Sequence, residues 1–370
     1  MKLKFSTLFI SIVLFHLSTY AQSFKWNNPA ESGYPVINGR HWQTGLKNLY
    51  DRLPASAQEN VRKELWELSK NSAGEYISFT TDAHEIKVKY QVNGSYIIPN
   101  STAINVTGVD LYAKDIKDNW HWISGQYNFN DTIGFKFSNI SIPLPIKEYR
   151  LYLPLYKTPS WVNIGVPSNA AFQFEKINEK EKPIVLYGTS ILQGASSSRP
   201  GLAWSNILGR KLNKKIINIG FSGNGQLEPA LIDLIGQIEA SLFVLDCLPN
   251  LYDRNKFSDE EVEKRITNSV KNLQQKHPRT PILLTEHAAA LPDLNLDSSI
   301  TNKYAQVSLL LSNTFHKLQK DGIKNIYLLK AKEIGFTYES TIDGTHPNDI
   351  GMMQYANAYE KIIKELLKKK

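Results

Sequence analysis

From residue 183 onward the chain repeats one unit, a short uninterrupted apolar run followed by an amphipathic stretch of helix length. The apolar runs cover residues 183–187, 215–219, 242–246, 281–285 and 325–329, and the amphipathic stretches fall near 203–212, 227–238, 258–275, 302–320 and 350–367. A strand without polar alternation has to be covered on both faces, which a parallel sheet flanked by helices achieves. The C-terminal half is therefore expected to be an open α/β domain built on a parallel sheet.

The preceding half has a different character. Between about residues 23 and 175 it is rich in Tyr, Phe, Trp, Thr, Asn, Gly and Pro, with short alternating runs such as Glu85-Ile86-Lys87-Val88-Lys89-Tyr90. Alternation of period two marks half-buried antiparallel strands, here expected also at 75–80, 108–112, 121–123, 133–137 and 148–155. Turn residues such as Asn93-Gly94 separate them. The expectation is an all-β sandwich of jelly-roll type. Residues 57–68 carry an ambiguous helical pattern. The polar stretch 178–182 reads as a linker, dividing the chain into a β-sandwich over 22–176 and an α/β domain over 177–370. A chain of 370 residues exceeds one typical hydrophobic core, which agrees with two domains.

Residues 1–21 have the three zones of a secretory leader, with Lys2 and Lys4, an apolar core over 8–17 and a cut expected after Ala21. That core is too short to span a bilayer, and no later run approaches ~18 apolar residues. A secreted or periplasmic protein without a membrane anchor is expected. The only cysteine is Cys247, so no internal disulfide can form, and it is read as a space-filling residue. The formal charge of +8 is spread along the chain, with no basic stripe interleaved with aromatics, which argues against a nucleic-acid partner.

In an open α/β sheet, ligands bind beyond the carboxyl ends of the strands, so the residues just after each strand matter most. After the first comes Gly188-Thr189-Ser190, in which Ser190 is a candidate nucleophile, or else part of an ordinary turn. After the second comes Gly220-Phe221-Ser222-Gly223-Asn224-Gly225, where the amide of Gly223 could approach an oxyanion, although for this loop alone structural glycine is the better reading. After the third comes Asp246-Cys247-Leu248-Pro249-Asn250, where Asn250 could donate a further hydrogen bond to an oxyanion or simply serve the turn. Ahead of the last helix comes Asp343-Gly344-Thr345-His346. A base needs an imidazole near the nucleophile, and a carboxylate three positions earlier can orient its other ring nitrogen. Four such loops in order on one sheet edge outweigh the bland reading of each alone.

These blocks, Gly188-Thr189-Ser190, Gly223 with Asn224, Asn250, and Asp343-x-x-His346, resemble the four ordered blocks of the SGNH (GDSL-like) hydrolases over residues 183 to the C-terminus. The resemblance implies a flavodoxin-like parallel sheet and a catalytic triad of Ser190, His346 and Asp343. It also implies an oxyanion hole formed by the amides of Ser190 and Gly223 with the side chain of Asn250. Two positions depart from the family pattern: Thr189 stands where aspartate is frequent, and Asp246 to Asn250 replaces the common Gly-x-Asn-Asp. Gly108-Val109-Asp110-Leu111-Tyr112 further resembles the Gly-x-Asp-Leu-Tyr signature of a β-rich module that precedes some bacterial SGNH domains, many of them carbohydrate esterases.

Glu286 and His287 follow the fourth strand and are read either as rim residues or as substrate contacts. Arg199 is read as a possible ligand for an acid or a sugar hydroxyl. The scattered histidines lack paired metal-site spacing, so neither a metal nor any other cofactor is expected. The leading expectation is a serine esterase acting on short acyl groups, acetyl above all, carried by a carbohydrate or another small ester. Its rivals are a lipase or lysophospholipase and a non-catalytic glycan-binding protein.

Overall fold

The computed structural model describes residues 22–141, 145–291 and 297–368. The leader-like segment 1–21 lies outside the described residues.

The alternating runs of the first half form strands β1 (Phe24–Asn27), β2 (Ile37–Asn38), β3 (Tyr76–Thr81), β4 (Ile86–Val92), β5 (Asp110–Asp115) and β6 (Trp120–Ile123). They continue with β7 (Gln126–Phe129), β8 (Ile133–Phe137), β9 (Ile146–Tyr152), β10 (Pro159–Pro167) and β11 (Phe172–Phe174). One sheet runs β1-β10-β4-β8-β7 and the other β11-β3-β9-β5-β6, with β2 paired to β3. Setting aside β2, β7 and β11, the facing orders β1-β10-β4-β8 and β3-β9-β5-β6 are those of a jelly roll. Strand β4 shows why the sheets pack: Ile86, Val88, Tyr90 and Val92 point inward, while the lysines between them stay at the surface. The longest of these strands, β10, lies outside the expected runs, because Pro159, Gly165 and Pro167 punctuate it in sequence. Its pairing on both sides, with β1 and β4, overrides that local signal.

Residues 57–68 are helical only in part. A short turn at Ala55–Ala57 precedes helix α1 (Lys63–Ser69), and Leu53, Ala57, Leu65 and Trp66 enter the same core cluster as Val185, Ile217 and Phe221 of the second half. This segment belongs to the sandwich half in sequence and to the α/β half in packing. Helix α2 (Ala103–Thr107) is also short, and Thr102 caps it by accepting from the Asn105 amide.

Beyond the linker, β12 (Ile184–Gly188), β13 (Ile216–Gly220), β14 (Leu242–Asp246), β15 (Ile282–Thr285) and β16 (Ile326–Leu329) form a parallel sheet in the order β13-β12-β14-β15-β16. That is the flavodoxin-like order, with its topological switch at β12. The connecting helices are α3 (Ser190–Gln193), α4 (Trp204–Leu212), α5 (Pro229–Ile235), α6 (Asp259–Lys276), α7 (Ser298–Lys320), α8 (Ala331–Ile334) and α9 (Asp349–Lys368). Helix α5 is shorter than its amphipathic pattern, because Pro229 opens it and Gly236 closes it. Alternate residues of β12 serve opposite faces of the sheet: Val185 and Tyr187 join the core under α5, α6 and α7, while Ile184 and Leu186 join the core under α4 and α9.

In the second of these cores the Trp204 ring lies parallel to Tyr359 at 4.4 Å between centroids and stacks on Tyr355 at 5.8 Å. All three are fully buried. Trp204→Ala would remove the ring that joins α4 to α9, and it should cost about 3–5 kcal/mol, measured as a lower denaturant midpoint with an unchanged m value.

Candidate active site

The sheet order brings three strand ends together. In register, Gly188 lies opposite Gly220 on β13 and opposite Asp246 on β14, so the loops after all three strands emerge side by side. Thr189 caps the single turn of α3 by accepting from the Ile191 amide, which leaves Ser190 as the first helical residue at the tip of β12. Ser190 is 6% exposed, and its Oγ lies 2.9 Å from Nε2 of His346.

His346 arrives on a tight turn ahead of α9. Oδ1 of Asp343 accepts from the amides of Thr345 (3.0 Å) and His346 (2.7 Å), while its Oδ2 lies 2.7 Å from the His346 Nδ1. Partial burial raises the Asp343 pKa, but the hydrogen bonds from the His346 ring and amide outweigh burial and hold it down at about 2. An ionised carboxylate can only accept, so Nδ1 carries the proton and the Nε2 lone pair of the neutral ring faces the Ser190 hydroxyl. That is the proton-accepting geometry a general base requires.

The three expected oxyanion donors lie on the loops that leave the adjacent ends of β12, β13 and β14. The Ser190 amide, in the first turn of α3, has no partner among the described residues, as is usual for a helix N-terminus. Gly223 sits at φ +70° in the loop after β13, a conformation that favours glycine, and its amide likewise has no partner among the described residues. Oδ1 of Asn250 accepts from the Gly225 amide at 3.0 Å, which fixes the side chain and leaves its NH2 group as the free end. Gln193 links this loop to the nucleophile helix, since its Oε1 accepts from the Ser222 amide at 2.8 Å.

Other candidates take different places. Cys247 is buried, its thiol directed at the Tyr187 carbonyl, and burial pushes its pKa well up, so it is no nucleophile. The Glu286 carboxylate accepts from the Ala331 amide and anchors the start of α8. His287 is not on the rim. It is fully buried, edge-on to the Tyr304 ring at 4.2 Å, and burial, reinforced by nearby His346, lowers its pKa to about 3. The Tyr304 hydroxyl in turn meets Thr345 Oγ1 at 3.0 Å, beside His346. Arg199 is turned to the sandwich, where its Nη1 donates to Asp110 Oδ2 (2.5 Å) and to the Tyr112 hydroxyl (2.7 Å). The Asp-Leu-Tyr motif thus meets the loop that follows the candidate nucleophile. The motif was visible in sequence, but its partner was not. Among the described residues, no group of three or more His, Cys, Asp or Glu side chains gathers in a way that could hold a metal ion, and no helix is long and apolar enough to cross a membrane.

Residues 181–364 match the family model of the GDSL-like lipase/acylhydrolase family, and residues 24–172 match the GxDLY module, the N-terminus of SGNH-hydrolase-type esterases. The chain is similar to a crystal structure described as a GDSL-like lipase from Bacteroides ovatus ATCC 8483, at 32% identity and a TM-score of 0.83, covering 94% of this chain and 98% of that one. It shares its fold with a salicylyl-acyltransferase from a tetracycline biosynthetic pathway (17% identity, TM-score 0.71, 93% and 97% covered). The same holds for an acetyl xylan esterase from the rumen bacterium Butyrivibrio proteoclasticus (10% identity, TM-score 0.52, 93% and 99% covered). No curated protein sequence matches the chain.

Of the serines in these loops, Ser190 has its hydroxyl on an imidazole, whereas the Ser196 hydroxyl is buried without a partner and Ser222 has no histidine beside it. A serine-directed organophosphonate should therefore modify Ser190, read by peptide mass spectrometry; modification at Ser196 or Ser222 instead would contradict this geometry.

Proposed function

Because the chain belongs to the GDSL-like lipase/acylhydrolase family, we propose that Ser190, His346 and Asp343 act as the catalytic triad of a serine esterase that removes short acyl groups, acetyl above all, from carbohydrates. The observation that carries the triad is the unbroken chain of hydrogen bonds from the Ser190 hydroxyl through the His346 ring to the Asp343 carboxylate. Ser190 Oγ attacks the ester carbonyl while His346 Nε2 takes its proton. The developing oxyanion is met by the amides of Ser190 and Gly223 and by the side-chain NH2 of Asn250, each such donor being worth about 10²–10³ in rate in comparable sites. His346 then gives its proton to the departing alcohol oxygen, leaving an acyl-serine. Water, deprotonated by the same ring, hydrolyses that ester and releases the acid. No step calls for a cofactor. Asp343, ionised down to about pH 2, stabilises the imidazolium throughout.

The substrate reading rests on the openness of the site. The side chains of His346 and Asp343 are 21% and 40% exposed, so the machinery sits at a surface that a hydrated polymer can reach. The leader-like residues 1–21 are the basis for placing the protein in the periplasm or the medium, where such polymers occur. The sandwich aromatics contribute less to sugar binding than their number suggests, since Tyr76, Tyr112, Tyr149 and Tyr152 are core residues. A second reading, an esterase for longer acyl chains, draws on Tyr338, Ile342, Ile350 and Met353, large apolar side chains exposed on either side of His346 in sequence.

Ser190→Ala and His346→Ala should each lower kcat on a simple acetate ester by about three orders of magnitude or more, with the double variant no worse, because the residues act as one unit. Asp343→Asn should cost as much or less. A purified Ser190→Ala protein that kept wild-type turnover would refute the triad. For the substrate, kcat/KM should fall from acetyl through butyryl to octanoyl esters, and acetate should be released from acetylated xylan or a similar polymer. A preference for octanoyl with no acetate released from any glycan would select the second reading.

A further inference from the structure

The loop that follows the candidate nucleophile, residues 194–200, is held from outside its own domain. Asn105 of α2 is fully buried, and its Nδ2 donates to the carbonyls of Gly194 and Ser197 and to the Ser197 hydroxyl, each at 2.8 Å. Thr102 Oγ1 donates to the Ser198 carbonyl at 2.8 Å, and the Ser196 amide donates to Ser101 Oγ at 3.2 Å. At the far end of the loop, Asp110 gathers three donors: Arg199 Nη1 at 2.5 Å, the Gly201 amide at 2.9 Å and Trp122 Nε1 at 2.7 Å. The Arg199 guanidinium lies over the Trp122 ring, 4.2 Å from its centre. The approach is so close that a Cβ at Gly201 would lie 2.3 Å from the Tyr112 ring and 2.5 Å from Asp110 Oδ2.

The same loop touches the base segment. Asp349, three residues beyond His346, accepts from the Ser198 amide at 2.8 Å and from the Ser198 hydroxyl. On the nucleophile side, Gln193 Nε2 donates to the Leu155 carbonyl of the sandwich at 3.2 Å, while the Gln193 side-chain oxygen holds the Ser222 amide. A helix of four residues has no stability of its own, so the place of Ser190 is fixed by whatever holds the residues after it. Here those holders are sandwich residues together with Asp349 of the base segment.

We propose that the β-sandwich is part of the catalytic frame, with Asp110, acting through Arg199, and Asn105 as positioning residues that set Ser190 against His346. The inference rests on the reading of Ser190 as nucleophile. It gives the Gly-x-Asp-Leu-Tyr motif a task at the active site: Asp110 grips the loop, Tyr112 shares Arg199 with it, and neither touches substrate. Displacement of a reacting atom by about 1 Å can cost on the order of 100-fold in rate, so a loosened clamp should act on turnover more than on binding.

The test compares full-length wild type with Asp110→Asn, Arg199→Lys and the double variant, at a temperature where each is folded by circular dichroism. The single variants should lower kcat on an acetate ester, and the rate of organophosphonate labelling at Ser190, by about tenfold or more, with KM within about twofold. The double variant should resemble the worse single, since both break one contact. If Asp110→Asn does not fold, Ser101→Ala and Thr102→Val remove the milder contacts to the same loop and should lower kcat several-fold without moving KM. Folded variants with wild-type kcat and labelling, or with losses confined to KM, would overturn the clamp. A wild type that neither hydrolyses esters nor is labelled at Ser190 would instead defeat the esterase reading, and this inference with it. A labelled wild type with unaffected variants defeats the clamp alone.

Discussion

Everything at the candidate site depends on where β12 ends. Its residues are buried on both faces, so its direction is fixed by two cores rather than one. It lies between β13 and β14, from which the chain departs in opposite directions across the sheet. At that switch the helices on either side of the sheet diverge and leave a crevice. Ser190 occupies it because only one residue, Thr189, separates it from the last paired residue of the strand, Gly188. The loops bearing Gly223 and Asn250 occupy its flanks for the same reason. The site is a consequence of strand order, and the side chains supply the chemistry.

The two halves of the molecule are less separate than their compositions suggest. Arg52, in the segment that leaves the sandwich, is fully buried, and its Nη1 donates to the carbonyls of Asn218 and Gly220 at the end of β13, at 3.2 and 2.8 Å. Burial lowers its pKa to about 10, which still leaves it charged at neutral pH. Nearby, Arg40 pairs with buried Glu75, whose pKa burial raises to about 8 against the pull of Arg40 and Arg52. With that pKa the Glu75 carboxyl is largely protonated at neutral pH, and a buried charge such as Arg52 contributes little net stability, because desolvation offsets its attraction. The carbonyl partners of Arg52 are specific, however, and they tie segment 40–75 to the strand that leads into the Gly223 loop. Apolar packing from Leu53, Leu65 and Trp66 supplies the adhesion.

How much of this was legible depended on whether the signal was local. The parallel strands were, because five apolar runs without polar alternation admit few other arrangements, and their observed bounds differ from the expected ones by a residue at most. The Asp343-x-x-His346 spacing was legible because the whole unit, carboxylate and ring, closes within one turn. Strand β10 was not, since its prolines and glycine speak against a strand and only its neighbours decide the matter. His287 was placed on the correct edge of the sheet but given the wrong surroundings, and the partners of Arg199 and Glu286 were not visible at all. Each is defined by a residue far away in sequence: Asp110 for Arg199, Ala331 for Glu286, and Tyr304 for His287. A single sequence shows which loops share an edge; it does not show which side chain turns inward.

His287 also bears on the electrostatics of the proposed reaction. When His346 takes the proton from Ser190 in the proposed reaction its ring becomes positive as the substrate oxygen becomes negative, and Asp343, ionised above about pH 2, stabilises the ring's new charge. A second imidazole stands close enough to His346 for their charges to oppose one another. Were it also protonated, it would disfavour the imidazolium and depress the very basicity that the reaction needs. Complete burial removes that conflict: desolvation penalises the charged form of His287 and keeps the ring neutral at any pH above about 3. The apolar surroundings that exclude water from His287, the Tyr304 ring and the alanines at 288–290, would therefore protect the charge balance of the proposed triad without touching it. Packing behind the site and electrostatics within it are one constraint, met by placing a titratable ring where it cannot titrate.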